Sequence, residues 1–323
     1  MGRRIRNASI FMAVEATYGA AITYIAADAV LVSELTATFP RNGVKRDLIR
    51  NYLGGAEELV GTRQCVLEFM VEMAGSGALG VAPKWGKLLR CCSMQEAISA
   101  SNRVEYTPSN PVSSAGFRFE NDGVRYVVRG AMGTVKLSMN AYERPMFSFR
   151  FVGFDVAATA VANLAPDFTG WIRPEVVSDA NSGSIKLGGT YATGTVTGGT
   201  ALVTRAFELE VGNTVEHMEL LGSGAAIGES IDITNREATG SITVELSTAD
   251  EVQWRTDLNA NTLTGLSFTH GSTAGNRIVV DAPSIQRLNN QVLDYKGRAL
   301  TSADIRCLPV STAGNDEFRI VAR

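Results

Sequence analysis

Histidine and cysteine are scarce in this chain. Its 323 residues include two His (His217, His270) and four Cys (Cys65, Cys91, Cys92, Cys307). Neither His has an i, i+4 partner or a Cys at ligand spacing, although Glu216 and Glu219 flank His217, so no metal site is expected and a solvated loop histidine is the plainer reading. No G-x-S-x-G turn and no Ser/His/Asp pattern occurs, which leaves no catalytic residue to nominate. Four cysteines with an adjacent pair at 91–92 suit neither a disulfide framework nor zinc, and reduced buried thiols are expected. No run of eighteen apolar residues exists to cross a membrane as a helix. At the N-terminus, MGRRIRNASIFMAVEATYGA is interrupted by Asn7, Ser9 and Glu15 before a signal-peptide core forms, so no export signal is expected. Charge of one sign is also missing. The net charge is −3 and no terminal block of like charge stands out, which argues against a dedicated nucleic-acid binder. Arg3, Arg4 and Arg6 are a weak basis for phosphate binding and fit an acidic patch on a neighbouring subunit equally well. The carboxylate pairs Glu57/Glu58 and Asp316/Glu317 read as solvated local charge.

What the chain does have is a repeated pattern. In residues 237–309, GSITVEL (240–246) alternates apolar Ile242, Val244 and Leu246 with polar Thr243, Glu245 and Ser247, as a half-buried strand does. TADEVQWRTDL (248–258) follows, with Asp250 and Glu251 early and Val252, Trp254 and Leu258 on one side of a short helix. LTGLSFT and NRIVVD then frame a glycine-containing reversal, and ADIRCL (303–308) closes the unit. The same order occurs upstream. VLEFMVEM (66–73) places Val71 and Glu72 over Val244 and Glu245, and WGKLLR (85–90) stands over the helix of Trp254. VEYTP (104–108) stands over LSFTH, GVRYVV (123–128) over GNRIVV, and FSFRFV (147–152) over ADIRCL. Duplication is the reading; a generic likeness between two antiparallel sandwiches is the alternative. The length suits two domains with a core each.

Taken in order, residues 1–28 read as an extended arm that finds partners elsewhere. Residues 29–157 form a first domain, with a strand at 30–39, a long polar loop at 40–61 and four strands between 117 and 153 (FRFE, GVRYVV, GTVKLSMN, PMFSFRFVG). Residues 158–205, Gly/Thr/Ser-rich, form a linker with edge strands. Residues 206–323 form the second domain, whose strand at 206–211 and loop at 212–236 mirror those of the first. The fold class is therefore mainly β with minor α: two tandem antiparallel β-sandwiches, each with one short helix. GSGALG (75–80) satisfies G-x-G-x-x-G between a strand and a helix, but the strand before it carries Glu68 and Glu72 on a wet face, unlike a nucleotide-binding first strand that is buried on both sides. GSGAAIG (222–228) has the wrong spacing.

The ordered segments EATYGA (15–20), VKRDLIRNYLGG (44–55), MVEMAGSGALGVAPKWGKLLRCC (70–92), VEYTPSN (104–110), FVGFDVA (151–157), TNREATGSITVE (234–245), SFTHGSTAGNRIVVDAPSIQ (267–286) and GNDEFRI (314–320) together resemble the major tail tube proteins of long, non-contractile-tailed bacteriophages. The resemblance implies a structural protein with no active site, cofactor or metal. It implies tube domains whose inner strands form a continuous barrel in a ring, with rings stacked through arms and long loops into a conduit for the genome. Two domains per chain make a trimeric ring the preferred assembly, ahead of a hexamer. The implied partners are the chain itself, a tape measure protein, a tail terminator and distal tail proteins, in a virion tail assembled in the host cytoplasm.

Geometry agrees with that picture. Six domains of about four strands, spaced ~4.8 Å and tilted roughly 40°, close a barrel about 48 Å across the backbone. Side chains reduce that by roughly 5 Å per wall and still leave room for a duplex about 20 Å wide. A lumen that passes a polyanion without holding it should be neutral to acidic, which nominates Glu68, Glu72 and Glu245 for its lining; the outer surface is the alternative. For contacts between rings the candidates are Arg46, Asp47 and Arg50 in the first loop and Glu216, His217 and Glu219 in the second, basic against acidic. Two other functions compete. A carbohydrate-binding sandwich would use exposed aromatics such as Trp171 and Tyr191, and a nucleotide-dependent enzyme would rest on GSGALG.

Overall fold

A computed structural model describes residues 2–110, 113–222 and 228–323; most of GSGAAIG lies outside the described residues. The first half runs β1 (Ala8–Val14), β2 (Ala29–Val30), β3 (Ser33–Thr38), β4 (Arg41–Lys45), β5 (Glu58–Glu72), α1 (Gly86–Arg90), β6 (Met94–Ser99), β7 (Arg103–Pro108), β8 (Ala115–Asn121), β9 (Val124–Asn140) and β10 (Met146–Ala160). Short strands β11 (Ile185–Leu187), β12 (Thr190–Ala192) and β13 (Thr195–Thr197) follow. The second half comprises β14 (Thr200–Glu210), β15 (Asn213–Glu219), β16 (Glu229–Arg236), β17 (Thr239–Glu245), α2 (Thr248–Asn259), β18 (Thr264–His270), β19 (Ile278–Tyr295), β20 (Arg298–Cys307) and β21 (Arg319–Ala322).

Alternation builds the central sheet. Leu67, Phe69 and Val71 of β5 and Phe147, Phe149 and Phe151 of β10 all turn inward and are at most 2% exposed, each worth about 1.5–3 kcal/mol relative to exposure. Their partners across the core come from a second layer. Phe117 of β8 packs 4.8 Å from Phe151, ring centre to ring centre, and Phe268 of β18 packs 5.9 Å from Phe207 of β14. The long strands β9 and β19 serve both layers. The early residues of β9 pair with β8 on one side while β10 follows it along nearly its whole length; the early residues of β19 pair with β18 and its later ones with β20. GVRYVV and GTVKLSMN, read as two strands, are thus one.

The repeat appears in strand order. In the first half β3 pairs with β5, β5 with β10 and β10 with β9. In the second half β14 pairs with β17, β17 with β20 and β20 with β19. The two four-strand sets are joined by a β9–β14 ladder, Lys136↔Glu210 to Asn140↔Ala206. Even the irregularities match, since β3 is bulged between Ser33 and Thr36 and β14 between Thr204 and Ala206. The counterpart of β18 is β8, however, and not the VEYTP strand. That strand is β7, which forms a hairpin with β6 and receives the C-terminal β21 on its other side.

Several segments differ from expectation. Within residues 1–28, read as an arm, β1 is a core strand paired along its full length with β8, and Ile10, Phe11 and Met12 are buried. The Nζ of Lys87 donates to the Met12 carbonyl at 2.5 Å. Glu15, which interrupts the apolar run, is buried and accepts from Ser114 Oγ, Gly19 N–H and Gly130 N–H at 2.7–2.9 Å. The strand at 30–39 breaks into β2, paired with β1, and β3, paired with β5. Both long polar loops are β-hairpins, β4 with the start of β5 and β15 with β16. Helix α2, capped by Ser247, buries only Trp254, and Val252 is exposed.

Candidate assembly surfaces

One face of the central sheet is core and the other is polar. On the polar face Glu68 of β5 lies opposite Arg150 of β10, with an ion pair of 3.4 Å. Glu72, at the end of β5, meets Arg144 at 2.5 Å, and Glu245, at the end of β17, meets Arg298 at 2.5 Å. These last two pairs occupy equivalent positions of the two halves. Each joins the last residue of an inner strand to an arginine at the turn into the next, β10 or β20. Lys136 and Glu208 add a further pair at 2.8 Å across the β9–β14 junction. All three glutamates nominated for a lumen are therefore on the polar face and carry arginine partners. These pairs are partly exposed and contribute little to stability; each offsets one carboxylate, while Glu34 and Glu210 on the same face have no ion-pair partner among the described residues, so the face is mildly acidic. In the sequence the pairing shows only as Arg144 and Arg298, each just ahead of or opening the strand that pairs with the glutamate's own.

The hairpins carry the residues nominated for contacts between rings, and the structure divides that set. In the first, Arg46 pairs with Glu57 within its own hairpin and Arg50 Nη1 donates to the Tyr52 hydroxyl at 3.2 Å; Asp47 is exposed. In the second, Glu216 is exposed, but His217 and Glu219 engage the same chain. The Glu219 carboxylate accepts from Asn42 Nδ2 at 2.8 Å and Thr62 Oγ1 at 3.0 Å, both on the first hairpin. His217 lies between Gln64 and Glu229, with only 8% of its side chain exposed, and its ring stands edge-on to Phe154 at 5.8 Å. It is not a solvated loop histidine. Neither is His270, buried in β18 with Nδ1 2.8 Å from Ser182 Oγ; burial pulls its pKa below the usual imidazole value. The second hairpin rests on the first half through Ile231, Val215 and Ile233 against Met132 and Val152.

The competing sites dissolve into internal contacts. In GSGALG, the Gly77 N–H donates to the Gly275 carbonyl at 2.9 Å and the Gly75 N–H to Asn276 Oδ1 at 2.7 Å. A Cβ on Gly75 would stand 2.0 Å from the Gly275 oxygen, so glycine here permits contact between turns of the two halves. Trp171 donates from Nε1 to the Ala29 carbonyl at 3.1 Å. Tyr191 bonds Glu105 beneath the Arg319 guanidinium, 4.5 Å from its ring. The four cysteines are free and buried, and burial raises all their pKa values, Cys65 and Cys307 to about 12.

Residues 5–307 match the family model for phage tail tube protein. The chain belongs to that family. Curated proteins give no match. A phage tail tube protein is a structural part of the virion tail, and the family is not one of enzymes. For a tail tube protein the surfaces just described become meaningful as a set: a mildly acidic sheet face and a hairpin with an exposed tip.

Proposed function

We propose that three copies of this tail tube protein close into a ring of six like domains and that rings stack into the tube through which the genome leaves the capsid. The observation that carries this reading is the four-strand order occurring twice and already joined edge to edge at β9–β14. Three chains of eight central strands, about twenty-four in all, close a barrel wide enough for a DNA duplex. The polar face with Glu68, Glu72 and Glu245 lines the lumen, where paired arginines keep phosphate from binding. Arg46, Asp47 and Arg50 of the first hairpin act in stacking, with Glu216 of the second as the remaining acidic candidate; His217 and Glu219 hold the hairpins to each other and only shape that surface. A tape measure protein inside the tube, a terminator and distal tail proteins at its ends complete the tail, which forms in the host cytoplasm. Native mass spectrometry with negative-stain microscopy tests this: rings of three chains and tubes of constant width are expected. A protein that stays monomeric at high concentration would overturn it.

A further inference from the structure

The internal junction carries information about the junction that has to form between chains. The repeat assigns each residue of the β9–β14 ladder a counterpart at one end of the sheet. The three ladders of each half fix those counterparts. Glu72 and Glu245 end β5 and β17; counting back from them, Leu67 opposes Ala37 in the first half and Gly240 opposes Leu209 in the second. Ala37 is thus the counterpart of Leu209. On the other side, Val71 opposes Phe147, which opposes Leu137, while Val244 opposes Thr301, which opposes Val292. Val292 is thus the counterpart of Leu137. Within the chain Leu137 and Leu209 are direct partners.

We infer that β3 of one copy pairs antiparallel with the later part of β19 of a second copy, with Ala37 opposite Val292, Thr36 opposite Leu293 and Thr38 opposite Gln291. The occupant of each edge is another molecule of this chain. This rests on the ring reading and adds its register. Three observations support it. First, among the described residues β3 is bonded only to β5, and beyond Ile285 β19 is bonded only to β20, which leaves one side of each strand open. Second, neither edge segment carries a proline or a charge among Thr36–Ala37–Thr38 or Gln291–Val292–Leu293, the devices that normally prevent pairing at an edge. Third, the side chains at the internal junction, Leu137, Met139, Phe207 and Leu209, are at most 2% exposed, whereas Val292 at the open edge is 54% exposed. Covering it as Leu137 is covered needs a strand alongside. The two edges of one chain are seven strand spacings apart, roughly 34 Å, and cannot satisfy each other.

The test is a disulfide between Ala37→Cys and Val292→Cys in the full chain. The native thiols are buried and give little background. Directly opposed residues bring Cβ atoms about 4.5–5.5 Å apart and diagonal ones about 7–8 Å, whereas a disulfide needs roughly 3.5–4.5 Å. Under mild oxidation the double variant should run as a covalent trimer on a non-reducing gel, and an Ala37→Cys/Asp294→Cys control should give about tenfold less. Mixing the two single variants should give a covalent dimer, which keeps the test open if the double variant folds poorly. Cross-linking that favours the Asp294 control overturns the register. Rings visible by microscopy with no cross-link from either pair overturn the edge assignment while leaving the ring intact. Absence of rings in the unmodified protein removes both.

Discussion

At the level of single residues, the buried carboxyl of Asp281 makes the clearest statement about stability. It is 3% exposed in β19, with the Arg319 guanidinium 3.2 Å away. Burial outweighs that neighbour and pushes its pKa up to about 6 from an ordinary value of 3.8. A group whose folded pKa is raised holds its proton more tightly when folded, so its contribution is greatest below the unfolded pKa and is lost as pH rises through the folded one. Over pH 4 to 6.5 the wild type should therefore lose about 2–3 kcal/mol relative to Asp281→Asn. Urea midpoints measured across that range check it, and parallel pH profiles for the two proteins would refute it. Nothing in the sequence pointed to this residue. NRIVVD reads as a strand, and β18 on one side with β21 on the other removes Asp281 from water. The glutamates of the sheet face were legible for the opposite reason. Alternation alone places Glu68, Glu72 and Glu245 on one polar face, whereas their arginines come from a neighbouring strand or the turn before it, distant in sequence.

Among the elements, the first hairpin has the most left to do. Its tip exposes Leu48, Ile49, Tyr52 and Leu53, apolar surface that a soluble monomer gains nothing by showing. Charge reversal at Arg46 and Arg50 is a poor probe, since both already have partners in the hairpin. Replacing residues 46–57 by Asn-Gly is cleaner. Lys45 already opposes Glu58, the geometry a two-residue turn closes. The shortened chain should form rings and no tubes, seen by native mass spectrometry and negative-stain microscopy. Tubes of ordinary length would move stacking to another surface. The hairpin was read as a loop because its strands are exposed on both faces and show no alternation, the cue on which a strand is recognised. In β15–β16 the cause is different: Val215, Ile231 and Ile233 do alternate with polar residues, but the surface they cover, Met132 and Val152, lies in the other half of the chain. For β1 the failure was different: ASIFMAV is too short and too uniformly apolar for its period to be read apart from β8, its partner more than a hundred residues on.

For the whole molecule, the repeated strand order turns a local pairing into a testable property of the proposed tube. Glu72–Arg144 and Glu245–Arg298 recur at equivalent places in the two halves, so the proposed ring of three chains would carry the pair about six times around one rim of its lumen. As paired, such a rim would offer DNA no grip. Glu72→Gln with Glu245→Gln leaves both arginines free and adds two positive charges per chain. Tubes of that variant should retain linear duplex DNA at low ionic strength and release it as salt rises, because each phosphate contact displaces condensed counterions; wild-type tubes should retain none. Closed circular DNA separates inside from outside. A circle can enter a tube only as two duplexes side by side joined by a sharp fold, which DNA with a persistence length of about 500 Å does not make inside a lumen of roughly 38 Å. Gel-shift assays with both forms therefore decide the orientation of the sheet. Linear-only retention places the face inside, and equal retention of circles places it on the exterior and removes Glu68, Glu72 and Glu245 from the conduit.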